Sequence, residues 1–352
     1  MISPPQEFFV QWHLTERCNL SCSHCYQNGV TMAELSRSEV GEVLGEIDEM
    51  LQAWQKAYAL EFSPSLNVTG GEPFLRRDLF EILAEMRNRG FATYLLTNGT
   101  LVDQKKAAAL ADLGVKGVQV SLEGPQEIHD SIRGKGSFEA ARRGVRHLLS
   151  AGLRVTLNAT LSKINAERFD EMIDIAGAWK VQRLGFSRLV PSGRGLGMVD
   201  QMIEPVRLKG IYQAIFAHPV EGLEIVTGDP VASQLRDNRE WNDCGMIATG
   251  GCAAGVSGLT ILPDGGVTPC RRLAVVIGNV RHDSLREIWA GSPVLEQLRE
   301  RPAYKNKCGA CPRWAVCRGC RAIAYAGSLS RGDEDFLAED PQCFLADQVA
   351  DQ

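Results

Sequence analysis

Three cysteines stand within eight positions near the start of the chain, in the stretch TERCNLSCSHCYQ at residues 15–27. Cys18, Cys22 and Cys25 are separated by three and two residues. Metal sites built on cysteine usually use four thiolates. A four-iron cluster held by only three keeps one iron free to bind a small chelating molecule, to which the cluster can donate an electron. The spacing therefore indicates an open iron–sulfur site, and the competing interpretation is a zinc site that borrows a ligand such as His24.

The remaining cysteines are concentrated in the last third of the chain. Of eleven cysteines, none falls between residues 26 and 243, and eight follow from residue 244 onward. Clustered cysteines in a reducing compartment bind metals more often than they form disulfides. Eight thiolates can hold two fully ligated four-iron clusters, although repeated Cys-x2-Cys spacing is also typical of two structural zinc sites. The eight are Cys244, Cys252, Cys270, Cys308, Cys311, Cys317, Cys320 and Cys343.

The elements that must position the first three cysteines alternate between strands and helices. Six apolar or β-branched runs occur between residues 8 and 190, namely FFVQWHLT, SLNVTG, FATYLLT, GVQVSL, RVTLNATL and RLGFSRLV. Helices are predicted between them, beginning near Ser36, Asp78, Asp103, Ser137 and Asn165. This alternation predicts an α/β fold with a parallel sheet and right-handed crossovers. Six units rather than eight predict an open, partial (β/α)6 barrel of the TIM type, with a small Cys-rich C-terminal iron–sulfur domain.

The same pattern suggests where one domain ends and the next begins. We expect a core at residues 1–215, a linker at 216–243 and a Cys-rich domain at 244–352. The last region contains a predicted hairpin, GLTILPDGGVTPC, with its turn at Asp264-Gly265. Helices are predicted at RLKGIYQAIFAHP and LREIWAGSPVLEQLRER. So many glycines and cysteines leave little apolar core, and a domain of this kind plausibly needs metal to hold it.

Four unusual short stretches follow the first four predicted strands. The three cysteines follow the first strand, GGEP at 70–73 the second, TNGT at 97–100 the third and SLEG at 121–124 the fourth. The carboxyl ends of parallel strands meet at one rim, which carries the active site in such folds. The sequence therefore predicts that these four loops converge on one site.

The Cys-x3-Cys-x2-Cys-Tyr stretch with GGEP after the next strand resembles the radical S-adenosylmethionine (SAM) superfamily, over roughly residues 8–215. The resemblance implies that the amino and carboxylate groups of SAM chelate the open iron. It also implies that reductive cleavage of SAM gives methionine and a 5′-deoxyadenosyl radical, which abstracts a substrate hydrogen. An external one-electron donor of the flavodoxin or ferredoxin type is then expected as a partner.

The resemblance also assigns SAM contacts to particular residues. It implies backbone contacts to the methionine amine, a residue beside the adenine, and residues at the ribose or carboxylate. For Asn98 a plain turn asparagine is the competing interpretation, and Arg142 and Arg143 are alternatives to Arg133 at the carboxylate. The resemblance assigns the backbone contacts to Gly70, Gly71 and Glu72, and the position beside the adenine to Tyr26. It assigns the ribose or carboxylate contacts to Asn98 and Ser121, and the pairing with the carboxylate to Arg133.

The C-terminal cysteines are similar to the SPASM extension of radical SAM enzymes, which carries two auxiliary clusters. That resemblance implies three [4Fe-4S] clusters in all, one at the SAM site and two auxiliary. Some SPASM proteins leave an iron open at the position of Cys244, so this ligand is left as an alternative. The implied ligands are Cys244, Cys252, Cys270 and Cys320 for the first auxiliary cluster and Cys308, Cys311, Cys317 and Cys343 for the second.

Three hypotheses describe what such a chain does. The first is a radical SAM/SPASM enzyme that modifies a peptide or protein, and the second is one of cofactor or tetrapyrrole biosynthesis. The third is a non-catalytic iron–sulfur electron carrier. Arg271 follows Cys270 where sulfatase-maturing relatives carry an aspartate, which argues against that activity. Because 17 residues precede Cys18, we expect no leader-binding domain ahead of the core.

Guanidinium groups bind carboxylates well, so several arginines are candidates for a substrate pocket. The competing interpretation is that each is solvated or paired with an acidic residue. Three glycines in PSGRGLG, Gly193, Gly195 and Gly197, suggest a flexible loop near the same rim. The arginines are Arg183, Arg188, Arg194, Arg271 and Arg272.

Composition restricts the remaining possibilities. The chain has 352 residues, a formal charge of −5 and a pI near 5.8, which argues against a non-specific nucleic-acid partner. No apolar run approaches the roughly 20 residues needed to span a membrane. The start, MISPPQEFFVQW, has no signal-peptide pattern, so a cytoplasmic location is expected.

Overall fold

A parallel sheet forms the centre of the computed structural model, which describes residues 6–30, 32–59, 61–218, 220–235 and 247–345. Six strands follow one another in space in chain order, and each pairs in parallel with the next. This confirms the predicted six-unit barrel core. The strands are β1 (Gln6–His13), β2 (Phe62–Thr69), β3 (Ala92–Thr97), β4 (Gly117–Ser121), β5 (Val155–Leu161) and β6 (Arg183–Arg188).

Helices connect the strands, and two of them begin with side-chain caps at the positions that the sequence predicted. Ser36 accepts a bond from the Glu39 amide while Glu39 accepts one from the Ser36 amide, so the predicted capping box is confirmed. Asp103 caps the third helix by accepting from the Lys106 amide. The helices are α1 (Arg37–Tyr58), α2 (Leu79–Asn88), α3 (Gln104–Asp112), α4 (Gln126–Arg133), α5 (Ser137–Ser150), α6 (Phe169–Ala178) and α7 (Pro205–Phe216).

The strands separate an apolar layer beneath the helices from a polar barrel interior. In β5, Val155, Leu157 and Leu161 are fully buried, whereas the alternating residues Asn158 and Thr160 are only half-buried and line the cavity. Side chains of a strand alternate between faces, so one strand serves both layers. A polar interior is unusual for a packed core and suits a barrel that holds a ligand.

The sheet extends beyond the six predicted strands at both edges. β7 (Glu224–Val226) pairs in parallel with β6, and the sequence analysis missed it because its three residues lie in the expected linker. At the other edge β8 (Gly258–Ile261) pairs in parallel with β1. β8 and β9 (Gly266–Thr268) form the predicted hairpin, followed by β10 (Gly278–Asn279). The Cys-rich region therefore shares a sheet with the core, while the boundary at residue 244 stays a prediction.

The C-terminal region adds short helices around its loops. The predicted stretch LREIWAGSPVLEQLRER forms two helices, because Ser292 caps the second one and Pro293 begins it. Trp289 on the first of them packs edge-on against Phe8 of β1, with ring centroids 5.0 Å apart. In the described residues no helix is both long and apolar enough to cross a membrane. The helices are α8 (Leu285–Gly291), α9 (Pro293–Arg299), α10 (Asn306–Ala310) and α11 (Arg321–Leu329).

Candidate functional site

The loop that carries the three cysteines follows β1 and is held by the GGEP stretch after β2. The Gly71 amide donates to the Thr15 carbonyl at 2.7 Å, and the Glu72 amide donates to the Arg17 carbonyl at 2.8 Å. A Cβ added at Gly70 or Gly71 would collide with the backbone of residues 15–17. Glycine is therefore required here by close backbone packing, a reason that the sequence analysis did not include.

Glu72 connects the ends of β2 and β3. Its buried carboxylate accepts bonds from the Asn98 amide at 2.9 Å, the Thr97 hydroxyl at 2.8 Å and the Phe74 amide at 3.3 Å. Burial raises the pKa of Glu72 to about 7, although these hydrogen bonds act in the opposite direction. The side chain fixes the two loops relative to each other, which leaves only backbone groups of this stretch for a ligand.

Asn98 forms the turn that was the competing interpretation of this residue, and its SAM contact stays a prediction. Its side-chain oxygen accepts from the Thr100 amide at 2.9 Å, as expected for a turn asparagine. Its side-chain nitrogen donates to Asn19 at 2.9 Å and lies 3.9 Å from the Cys18 sulfur. Asn98 therefore shapes its own turn and contacts the cysteine loop.

Of the three candidate arginines after β4, only Arg133 lies at the cysteine loop. Its guanidinium donates to Glu123 at 2.6 and 2.8 Å and lies 3.8 Å from the Cys22 sulfur. Burial alone would raise the pKa of Glu123, but Arg133 and His24 outweigh it and hold that pKa well below its usual range. Arg142 and Arg143 are exposed on α5 and do not line the cavity.

Tyr26 and Ser121 both line the cavity beside the cysteine loop. The Tyr26 hydroxyl lies 3.4 Å from His13 Nε2, and the guanidinium of Arg271 lies 5.7 Å from the centre of its ring. Burial raises the pKa of Tyr26, so its hydroxyl stays protonated. Tyr26 thus presents a neutral aromatic face next to Cys25.

The glycine-rich stretch after β6 lies at the rim as predicted, but it is not a loose loop. It forms a 3-10 helix, Gly193–Gln201, that is hydrogen-bonded to the cysteine loop. The Gly195 amide donates to the Cys25 carbonyl at 2.9 Å, and the Arg194 amide donates to the Gln27 carbonyl at 3.2 Å. A Cβ at Gly193 would collide with the Tyr26 carbonyl, so close packing explains this glycine.

Four of the C-terminal cysteines form one group. The Gln234 side chain donates to the sulfurs of Cys317, at 3.5 Å, and Cys343, at 3.4 Å. Burial raises the pKa of Cys317 to about 11, and the charge of Cys343 contributes to this rise. Burial likewise raises the pKa of Cys311, helped by the neighbouring charges of Cys308 and Cys343. These four are the ligands expected for the second auxiliary cluster.

A second group surrounds Cys320. Burial raises the pKa of Cys320 to about 12, and the neighbouring charge of Cys252 adds to this effect while Arg272 opposes it. Arg272 in turn feels the charges of both Cys320 and Cys270. Cys252, Cys270 and Cys320 are three of the four residues expected for the first auxiliary cluster. The fourth, Cys244, lies outside the described residues.

Clusters and single zinc ions are the two interpretations that the sequence left open for these cysteine groups. Among the described residues, no three His, Cys, Asp or Glu side chains are grouped closely enough to hold one metal ion. A four-iron cluster places each thiolate on a different iron and so spreads its ligands more widely. The sulfurs also receive N–H donors, as expected for thiolates bound to iron.

Two neighbouring cavities, the outer and inner parts of the site, share part of their lining. The three cysteines of the loop line the outer part, and Cys320 lines the inner part. Arg271 and Arg272 line both parts, together with Asn158. The residues shared by the two parts are Gln119, Asn158, Ser187, Arg188, Arg271 and Arg272.

The five arginines proposed for a carboxylate pocket separate into distinct environments. Arg183 lies at the amino end of β6, where it pairs with Glu224 and does not line the cavity, so its assignment to the pocket is wrong. Arg188 lines the cavity, but Asp229 and Asp340 occupy its guanidinium. Arg194, Arg271 and Arg272 remain as cavity-lining candidates.

An open parallel barrel with a three-cysteine loop at its carboxyl rim and grouped cysteines beyond it defines an iron–sulfur enzyme of the barrel type. Residues 12–176 match the family model described as Radical SAM superfamily. Residues 252–312 match the SPASM model, described as an iron-sulfur cluster-binding domain. The chain belongs to the radical SAM superfamily and carries a C-terminal SPASM domain. These domains imply SAM and [4Fe-4S] clusters as cofactors.

The names of relatives with comparable sequence identity to this chain describe two kinds of reaction. An AdoMet-dependent heme synthase from Methanosarcina barkeri (strain Fusaro / DSM 804) is 30% identical, covering 95% of each chain. A pre-heme d1 synthase from Dinoroseobacter shibae (strain DSM 16493 / NCIMB 14021 / DFL 12) is 32% identical, covering 96% of this chain and 86% of that protein. A PqqA peptide cyclase from Methylocella silvestris (strain DSM 15510 / CIP 108128 / LMG 27833 / NCIMB 13906 / BL2) is 32% identical, covering 96% and 88%.

The fold also matches a solved structure closely. SuiB of Streptococcus suis, in a crystal structure bound to S-adenosylmethionine, superposes with a TM-score of 0.73 at 17% identity. The match covers 97% of this chain and 78% of SuiB. It establishes a shared fold along nearly the whole chain.

Proposed function

We propose that this enzyme cleaves SAM reductively and takes a hydrogen atom from a peptide or protein substrate that enters the barrel cavity. The observation that carries the proposal is the shared lining of the two parts of the cavity, of which one contains Cys18, Cys22 and Cys25 and the other contains Cys320. A substrate within it lies between the SAM site and an auxiliary cluster. Such an arrangement suits removal of a hydrogen at one end and of an electron at the other.

The cysteine groups are proposed to hold three [4Fe-4S] clusters. Cys18, Cys22 and Cys25 hold the first, and the eight C-terminal cysteines hold two auxiliary clusters in the sets given above. The N–H donors near the sulfurs of Cys18, Cys22 and Cys317 support cluster ligation. When bound, the first cluster and SAM supply one-electron cleavage of SAM to methionine and a reactive carbon radical.

The residues around the cysteine loop are proposed to bind and orient SAM. Backbone groups of Gly70, Gly71 and Glu72 take the methionine amine, and Tyr26 lies beside the adenine. Asn98 and Ser121 contact the ribose or carboxylate. Arg133, held by Glu123 and adjacent to Cys22, supplies a positive charge for the carboxylate.

A peptide or protein substrate is supported by the surface at the cavity mouth. The 3-10 helix that contributes Arg194 to the cavity also carries Leu196 and Val199, which are 59% and 41% exposed. Contiguous exposed apolar patches are typical of macromolecular docking sites, and these two side chains supply apolar surface close to a cavity-lining residue. The peptide cyclase relative agrees with this class of substrate.

A tetrapyrrole or related cofactor is the second candidate substrate. The heme synthase and pre-heme d1 synthase relatives favour it, and both match over nearly the whole chain. The guanidinium groups of Arg194, Arg271 and Arg272 in one cavity suit the carboxylate side chains of such molecules.

An unbiased hydrogen-transfer experiment tests the function and separates the two candidates. Extract from source cells grown in deuterated medium is divided by filtration into a peptide fraction and a small-molecule fraction. Each is incubated with reduced, cluster-loaded protein and SAM, and 5′-deoxyadenosine is analysed by mass spectrometry. Deuterium acquired from the peptide fraction supports the first candidate, and deuterium from the other fraction supports the second. If no 5′-deoxyadenosine forms, the chain is an electron carrier instead.

The remaining assignments complete the proposal. The core extends over residues 1–215, the linker over 216–243 and the SPASM domain over 244–352. An external flavodoxin- or ferredoxin-type protein supplies the electron. A reducing cytoplasm is the compartment in which eleven cysteines stay available for iron.

A further inference from the structure

Two adjacent arginines, Arg271 and Arg272, line both parts of the cavity. We propose that Arg271 and Arg272 form a binding site for a carboxylate group of the substrate. The inference rests on the proposed function, because it places that substrate in the cavity between the cysteine loop and Cys320. It adds the chemical group by which the substrate is recognised.

The two side chains lie between the predicted cofactor positions. Arg271 stands over the ring of Tyr26, at 5.7 Å from its centre, and Tyr26 directly follows Cys25. Arg272 lines the inner part of the cavity together with Cys320. A carboxylate held by both guanidiniums would place the attached carbon chain between the SAM site and the first auxiliary cluster.

Neither arginine forms the close ion pairs that other arginines of this region possess, although the charges of Cys320, Cys270 and Asp229 lie near Arg272. Arg188 is paired with Asp229 and Asp340, and Arg133 is paired with Glu123. Throughout the described part of the chain, no carboxylate pairs with Arg271 or Arg272. Arg272 donates to the Arg188 carbonyl at 3.3 Å, but its Nε is buried without a hydrogen-bond partner. Leaving a buried charged donor unsatisfied is costly, so such a group is expected where a ligand completes it.

The surroundings favour a carboxylate as that ligand. A guanidinium offers two parallel N–H donors that match the two oxygens of a carboxylate. Neutral polar side chains of Gln119, Asn158 and Ser187 line the same part of the cavity and add hydrogen-bonding capacity without adding charge. The carboxylate could come from an acidic residue of a peptide or from a propionate of a tetrapyrrole, and the test has an arm for each.

Matched pairs of probes test the site without requiring turnover. The first pair is coproporphyrin III and its tetramethyl ester, and the second is a short alternating Ala–Glu peptide and its Ala–Gln counterpart. Dissociation constants are measured by calorimetry on the cluster-loaded protein. The acidic member of at least one pair is expected to bind about tenfold or more tightly than its neutral counterpart, as expected for a charge-assisted hydrogen bond.

Variants assign that preference to the two arginines. Arg271→Gln and the double variant Arg271→Gln/Arg272→Gln should lose the preference for the acidic probe, and Arg271→Lys should retain part of it. Arg183→Gln is the matched control, because Arg183 pairs with Glu224 outside the cavity. Since Arg272 adjoins cluster ligands, iron content is measured for every variant. If the double variant loses iron, the result for the single variant Arg271→Gln decides the test.

Several results would overturn the inference. Equal binding of acidic and neutral probes, no binding of either acidic probe, or unchanged binding in Arg271→Gln would each do so. Variants that change only the SAM affinity, or only the midpoint potential of an auxiliary cluster, would assign the guanidiniums to those groups instead. A parent protein that forms no 5′-deoxyadenosine fails the proposed function, whereas one that forms it but ignores the carboxylate fails this inference alone.

Discussion

Arg188 and Asp340 are joined by two parallel hydrogen bonds, of 2.9 and 2.7 Å, although 152 positions separate them in the chain. Both side chains are buried, and Asp340 also accepts a bond from the Cys320 amide at 2.8 Å. Asp229 accepts further hydrogen bonds from the same guanidinium, through Nε and Nη2. This ion pair therefore connects the end of β6 to the segment that carries a predicted cluster ligand.

Replacing Arg188 by Met should destabilise the protein strongly, because two buried carboxylates lose their counter-charge. The expected loss in the free energy of unfolding is about 3–5 kcal/mol. Arg183→Met removes an exposed pair with Glu224 from the same strand and should cost less than about 1 kcal/mol. Anaerobic denaturant unfolding followed by circular dichroism measures both, and similar small losses in the two variants would contradict the role assigned to Arg188.

Replacing Gln234 by Leu should shift the midpoint potential of the second auxiliary cluster to a more negative value. The amide donates to the sulfurs of Cys317 and Cys343, and such donors stabilise the electron-rich reduced cluster. Gln213→Leu, on the exposed face of α7, is the matched control. Redox titration monitored by electron paramagnetic resonance measures the shift. An unchanged potential at full iron content would rule out this effect of Gln234.

Replacing Gly71 by Ala should weaken SAM binding by about tenfold or more and reduce the iron held at the first site. The added Cβ collides with the carbonyls of Glu16 and Arg17, so the cysteine loop must move. A displacement of about 1 Å at a binding site commonly lowers affinity or rate by about one or two orders of magnitude. Gly177→Ala in α6 is the control, because a Cβ there meets no atom within 4 Å. Equilibrium dialysis with labelled SAM gives the affinities, and parent-like binding in Gly71→Ala would be inconsistent with this packing.

Much of the barrel was predictable because its signals are local. Alternating apolar residues, the Ser36–Glu39 capping box and the Asp264–Gly265 turn each predicted an element that the structure contains. The convergence of the cysteine, GGEP, TNGT and SLEG loops followed from parallel strand direction. The ligand sets of the C-terminal cysteines stay a prediction of the resemblance, because spacing alone could not provide them.

Features that depend on distant pairing had no local signal. β8 joins β1 across about 250 positions of sequence, and nothing in either segment specifies this partner. Helix α4 was missed because no side-chain cap marks its start after Pro125. The sequence could not separate Arg133 from Arg142 and Arg143, since the choice depends on helix direction. Likewise, only the structure pairs Arg188 with Asp229 and Asp340.

The central claim is that Cys18, Cys22 and Cys25 hold a cluster that binds and cleaves SAM. The most direct test measures 5′-deoxyadenosine formed from SAM by anaerobically reconstituted, dithionite-reduced protein, together with its iron and zinc content. The parent protein should contain iron and form the product, whereas Cys22→Ala should form none while keeping the iron of its auxiliary clusters. Product formation by Cys22→Ala, or zinc in place of iron in the active parent preparation, would contradict the account.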